Sequence, residues 1–187
     1  MKKSINVAFT FDLDPDQFDF FISKNYRSQI YWHEIEKNCI SALRVLEENF
    51  EQNLKCTWFL RVDEQIKYFM GSYTSFLEQN ENLINFFINK KQLIGFHPHL
   101  EKLDHNNKWV LNKNINHTIE EFSKSFYRFK EFGLSPKITR IGGNLSIPEL
   151  FQTMDKLGVI VDSTAIPGRY RNDSERHFNW KLTNGNI

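Results

Sequence analysis

The sequence predicts an α/β fold built on parallel strands. Short apolar, β-prone runs alternate with amphipathic helical stretches along the chain. Such alternation calls for right-handed crossovers between parallel strands. Acidic, imidazole and guanidinium side chains gather just past the C-terminal ends of three predicted strands, where parallel α/β folds collect their functional groups.

Ile5 to Phe11 (INVAFTF) forms the first predicted strand. Trp32 to Phe50 reads as a helix, with Ile35, Cys39, Leu43, Leu46 and Phe50 at helical spacing. Lys55 to Arg61 (KCTWFLR) is a second strand, aromatic and β-prone. Glu64 to Phe69 and Ser75 to Lys91 read as helices, and Leu77, Ile84 and Ile88 share one face of the latter. Gln92 to Phe96 is a third strand, followed by a helix over Ile115 to Phe132 with Ile119, Phe122, Phe126 and Phe129 as its stripe. Lys137 to Ile141 is a fourth strand. Ser146 caps a further helix, Glu149 reaches back to it, and Pro148 sits in the first turn, where it removes no helical bond. Gly158 ends that helix, Val159 to Val161 is a fifth strand, and Ile166 to Ile187 shows no clear element. Five strands suffice for an open, doubly wound sheet, whereas a closed barrel needs about eight.

The 187 residues, 40% hydrophobic and 15% aromatic, suit one domain over 1–187, able to bury roughly 70% of its unfolded surface. A net charge of +1 argues against nucleic acid or an anionic membrane as partner. No apolar run nears the ~20 residues of a membrane span, and Asp12, Asp14, Asp16 and Asp19 arrive too early for a signal peptide. Cys39 and Cys56 lie in apolar patterns that suit buried thiols in a reducing compartment, so a cytoplasmic location is expected. The sequons at Asn116, Asn144 and Asn172 are then chance matches.

The first cluster is Thr10-Phe11-Asp12-Leu13-Asp14-Pro15. Asp12 and Asp14, two apart on an extended segment, point to one side and repel unless a cation or proton intervenes; a solvated Asp-Pro turn is the alternative. The second is Phe96-His97-Pro98-His99, two imidazoles facing one way about a stiffening proline. The third is Thr139-Arg140-Ile141-Gly142-Gly143, where the guanidinium calls for a carboxylate partner and the glycines leave room for a ligand or another backbone. Asp162 and Ser163 end the fifth strand and would rim the same mouth. This is the kit of a mononuclear metal site with a nearby base, and its N and O donors suit Zn, Fe, Mn, Co or Ni. His33 is expected at a helix end, His105 and His117 in exposed Asn-rich loops, and the Asp173 to Lys181 run at the surface. Ser163 lacks the context of an activated nucleophile, which argues against covalent catalysis.

TFDLD, CTWFLR, GFHPH and TRIGG occur in an order and spacing that resemble the polysaccharide deacetylase (NodB-like, carbohydrate esterase 4) superfamily, in its bacterial TFD-x-D form. The resemblance runs from about Ile5 to the Asp162-Ser163 strand end. It implies a distorted (β/α) barrel with about five of the usual seven strands present, the C-terminal strands missing from this chain. It also implies one divalent metal ion, zinc foremost, and hydrolysis of an acylated amino sugar or related carbohydrate. Asp12 would be the general base, Asp14 and His97 metal ligands, and Arg140 the group that orients Asp12.

The chain departs from the family where the second histidine usually stands four residues after the first. Position 101 is Glu101, so His99 or Glu101 is left as third ligand, and the i, i+2 geometry favours His99. The family's Pro two residues after the arginine is Gly142 here, and no Leu-x-His supplies a C-terminal general acid; His177 has the wrong context. A degenerate carbohydrate-binding or assembly protein of the same fold, dimerising over open sheet edges, is therefore the alternative. A glycosidase is disfavoured, because two carboxylates on one strand end sit too close to flank a sugar.

Overall fold

The computed structural model describes residues 7–14, 32, 34–145, 147–172 and 177–180. Five parallel strands form the central sheet: β1 (Thr10–Leu13), β2 (Thr57–Leu60), β3 (Leu93–Phe96), β6 (Ile138–Thr139) and β7 (Val161–Asp162). They lie side by side in chain order, each parallel to the next. A doubly wound sheet reverses its order at a switch point. This one does not: among the described residues its strands follow one another in chain order without a switch point. Among the described residues β1 and β7 are the two edges and do not pair with each other.

The connecting helices are α1 (Ile35–Phe50), α2 (Glu64–Met70), α3 (Ser75–Gln79), α4 (Glu81–Asn89), α5 (Ile115–Glu131) and α6 (Pro148–Leu157). The expected single helix over 75–91 is broken at Asn80, whose side-chain amide bonds back to the Phe76 carbonyl at 2.8 Å and competes with the helical ladder. The break shifts the apolar phase, so Leu83, Ile84 and Phe87 are buried while Ile88 is half exposed. Ile147, rather than Ser146, is the N-cap of α6, and no side-chain cap bond forms there. Ser146 and His33 lie outside the described residues, as do residues 173–176. Gly158 ends α6 at φ 79°, the left-handed conformation that favours glycine. The fifth strand begins at Val161 rather than Val159: the Val159 N–H still bonds back to the Met154 carbonyl at 2.9 Å, and Ile160 is exposed.

Two antiparallel pairs escape the sequence reading. β4 (Lys102–Leu103) pairs with β5 (Trp109–Val110), and β8 (Tyr170–Asn172) with β9 (His177–Asn179). The first turn is built by the Asp104 carboxylate, which accepts the Asn106 and Lys108 N–H groups at 2.8 Å.

Strand alternation gives the sheet two unlike faces. Phe11, Trp58 and Phe96 face the helices. Trp58 stacks between Phe11 (4.5 Å) and Phe87 (4.6 Å), and Phe96 meets Phe122, Phe126 and Phe129 of α5 at 5.4–5.7 Å. The other parity carries Asp12 beside Phe59 beside Gly95 in register, then Arg61 and His97 one step further along. Cys39 and Cys56 are buried thiols in the core.

Candidate metal centre

Asp14, just past β1, and His97 and His99, just past β3, converge at the C-terminal edge of the sheet; one donor atom from each lies within 4.8 Å of the others. His97 Nε2 is 3.8 Å from Asp14 Oδ2, and His99 Nε2 is 3.6 Å from Asp14 Oδ1. Donors about 2.0–2.2 Å from one tetrahedral zinc ion lie about 3.4 Å apart, so these two separations need close by only a few tenths of an ångström to share an ion.

The protonation pattern suits one as well. His97 Nδ1 sits 2.6 Å from the Arg140 carbonyl oxygen. A carbonyl only accepts, so Nδ1 carries the proton and Nε2 keeps its lone pair for a ligand. His99 Nε2 is buried with no hydrogen-bond partner. A buried polar atom left in that state is costly, and a cation between the imidazoles and Asp14 would satisfy it. Burial pushes the Asp14 carboxyl up, but in the metal-free protein a protonated His97 that donates to it, the Arg61 guanidinium and the charges of His99 and His97 in their protonated forms outweigh that push. The group is held well below the usual carboxylate range. Asp14 is thus an anion ready to ligate.

His99, rather than Glu101, supplies the third donor of this cluster. Glu101 stands behind it, with Oε2 at 3.6 Å from His99 Nδ1. Gly142 accounts for how the ring fits: a Cβ at position 142 would fall inside the His99 imidazole. The space expected over Gly142 for a ligand is therefore filled by His99. The Gly142 N–H also bonds the Pro98 carbonyl at 2.9 Å, pinning the residue between the two histidines.

Beneath the cluster lies a network the sequence reading missed. Arg61 is fully buried and forks onto Asp63, Nε to Oδ2 at 2.9 Å and Nη2 to Oδ1 at 3.0 Å. It also donates to Gln65 at 2.8 Å and reaches Asp14 at 3.4 Å. Asp63 caps α2 through the Ile66 N–H and accepts the His99 N–H at 3.1 Å. The sequence signal was available: Arg61 and Asp63 lie two apart at a strand end, the spacing that drew attention to Asp12 and Asp14. Three carboxyl groups (Asp14, Asp63, Glu101) gather around the one buried guanidinium of Arg61, so acidic groups outnumber it beneath the cluster.

Asp12, one step earlier on the same face, pairs with Arg140 at 2.8 Å. Arg140 is held firmly: Nη2 donates to Thr10 Oγ1 and Ser163 Oγ, both at 2.9 Å, and Nε donates to the Ser163 carbonyl at 3.2 Å. Its guanidinium stacks 4.3 Å over the Phe59 ring, and that ring lies where Gly95 has no side chain. Asp162 bonds the Thr164 N–H and hydroxyl, and Thr164 Oγ1 accepts the Ile141 N–H at 2.8 Å, fixing the strand end beside Arg140. Burial pushes the Asp162 carboxyl up, partly offset by those Thr164 bonds and by Arg140. Gly143 lies in the short 3-10 turn that follows, at φ 68°. His105 and His117 are exposed as expected, although His117 sits in the first turn of α5 rather than in a loop.

One solved structure is similar in fold. It is a candidate polysaccharide deacetylase from Mycobacterium smegmatis, matched over 85% of this chain with a TM-score of 0.56 and 15% identity. At that identity the likeness is one of fold. The chain spans half the length of that structure's chain. No family model and no curated protein matches the sequence. Among the described residues no helix is long and apolar enough to cross a membrane.

Proposed function

We propose that the protein is a metal-dependent hydrolase that removes an acyl group, N-acetyl foremost, from an amino sugar or related carbohydrate, cleaving a non-peptide C–N bond. The observation that carries this reading is the buried, unpartnered His99 Nε2 facing Asp14 beside a His97 whose tautomer leaves Nε2 free to ligate. Asp14, His97 and His99 would hold one divalent ion, with zinc the first choice for an N2O donor set and Fe, Mn, Co or Ni also compatible. A bound ion supplies Lewis acidity and a water acidified toward neutral pH. Asp12 takes the proton from the attacking water, and Arg140 holds the Asp12 carboxylate in place. Gly143 and Asp162 border the place for the sugar, and Gly142 seats His99. The deacetylase-like fold supports the carbohydrate class of substrate, and a cytoplasmic setting would favour a nucleotide-sugar or lipid-linked precursor.

The test measures bound divalent metal in protein purified without chelator, beside Asp14→Ala and His97→Ala. About one ion per chain is expected, lost in both variants, together with acetate release from N-acetylated sugars that Asp12→Asn abolishes while retaining the metal. Metal uptake unchanged in both ligand variants would sink the reading. New reducing ends in place of acetate would point to a glycosidase.

A further inference from the structure

Asp63 borders the metal centre without a lone pair to spare for an ion. Its Oδ2 accepts Arg61 Nε at 2.9 Å and the His99 N–H at 3.1 Å, and its Oδ1 accepts Arg61 Nη2 at 3.0 Å and the Ile66 N–H at 3.1 Å. A carboxylate offers about four lone pairs, and these donors take them. The residue is fully buried.

We infer that Asp63 is a positioning residue: together with the Gly142 N–H it clamps the Pro98–His99 peptide, and this clamp brings a histidine only two residues after His97 to the same ion. The inference rests on the metal reading above and adds a residue that acts through His99 rather than on the ion.

The spacing calls for such a device. Residues two apart on an extended strand lie about 6.6 Å apart and hold their side chains side by side. Here the two rings stand at 88° with centroids 5.1 Å apart, and one donor of each converges with Asp14 within 4.8 Å. The chain therefore turns between them. His97 is still tied to the sheet, its N–H bonded to the Leu60 carbonyl at 2.9 Å. The first peptide after it ends on Pro98, which has no N–H to hold. The second, Pro98–His99, is held on both sides: its carbonyl accepts the Gly142 N–H at 2.9 Å, and its N–H donates to Asp63 at 3.1 Å. A peptide is planar, so fixing its oxygen and its N–H fixes the plane, and with it the direction in which His99 leaves the chain. Asp63 follows β2 and Gly142 follows β6, so the clamp is anchored on the strands that flank β3 on either side.

Cobalt(II) titration of the full chain, read by visible absorption, tests this with Asp63→Ser, His99→Ala and the two combined. Serine leaves α2 a good cap but takes away the acceptor of the His99 N–H. Asp63→Ser should weaken cobalt binding by about 10- to 100-fold, and the combined variant should be little weaker than His99→Ala alone, because both changes remove the same donor. At saturating cobalt the absorption of the bound ion, which follows its ligand set, should change in Asp63→Ser in the direction it does in His99→Ala. If Asp63→Ser does not fold, Arg61→Met/Asp63→Leu, which strands no charge, should show the same loss. Affinity and spectrum unchanged in a folded variant, or losses that add in the combined one, would overturn the inference. Wild-type uptake that Asp14→Ala abolishes and Asp63→Ser leaves intact removes the clamp alone. No uptake by wild type, or uptake unchanged in Asp14→Ala, removes the metal reading and the clamp with it.

Discussion

The two faces of the parallel sheet are made by the same strands and stabilised in opposite ways. The helix-side face is a stack of rings: Phe11, Trp58 and Phe87 lie nearly parallel, and Phe96 sits among three phenylalanines of α5. The other face holds Asp12, Arg61, His97 and Arg140, with Phe59 as its main apolar member. Apolar burial is non-directional and scales with area, so damage there grows with the volume removed. The polar face depends on particular pairs, and removing one partner strands the other. The contrast teaches where stability and chemistry separate in this molecule, one residue apart along each strand.

The largest expected effect is on the helix side. Trp58 is fully buried between two rings, and its indole N–H reaches Gln92 at 3.2 Å. Trp58→Ala should cost about 3–5 kcal/mol in urea unfolding. Metal affinity of the molecules still folded should stay within a few-fold of wild type. A large loss of affinity without loss of stability would erase the distinction between the faces.

Arg61→Met comes next, at about 3 kcal/mol, because it leaves Asp63 buried without its cation. The double variant Arg61→Met/Asp63→Leu should recover part of that loss, since replacing a buried pair by apolar groups is often close to neutral. It should not recover metal binding, because the His99 N–H loses its acceptor. Chemical denaturation and metal titration of both variants check the two halves of this expectation.

Much of this contrast was legible in the sequence because period-two alternation is a local signal. Asp12 with Asp14 and His97 with His99 announce a shared side without any tertiary knowledge, and the Phe122, Phe126 and Phe129 stripe announces its helix. That Arg140 needs a carboxylate follows from its place near a strand end, Asp12 as that partner comes from the family resemblance, and the structure places the two 2.8 Å apart. What was not legible is set by three-dimensional complementarity. Arg61 looks like the polar end of a strand until the fold closes over it. Gly142 looks like open space until the His99 ring occupies it. The break at Asn80 and the hairpin at Asp104 depend on side chains competing for backbone groups, which hydrophobic periodicity does not report.

Gly142→Ala sharpens the comparison on the polar side. The added methyl meets the His99 ring itself, so the ring must leave its place or the strand end must shift. Affinity for a divalent ion should fall by about 100-fold, the upper range for disturbing what orients a ligand, with the unfolding midpoint little changed. Combining it with His99→Ala should add little, because both remove the same donor. If Gly142→Ala binds metal as wild type does, the imidazole at position 99 is not the third ligand.

The smallest effect expected is at Glu101. Its carboxylate faces His99 Nδ1 at 3.6 Å and accepts from Gln65 at 3.5 Å, both long contacts. A carboxylate behind a ligating imidazole fixes the tautomer and raises basicity, which is worth at least about tenfold in affinity. Glu101→Gln keeps the shape and an acceptor oxygen but removes the charge. Affinity should fall about tenfold, and Glu101→Ala should fall further, since the amide still orients the ring. If Glu101 were itself the third ligand, Glu101→Gln would weaken binding as much as Asp14→Ala. Metal titration of these variants side by side therefore separates a residue that binds the ion from one that holds the residue that does.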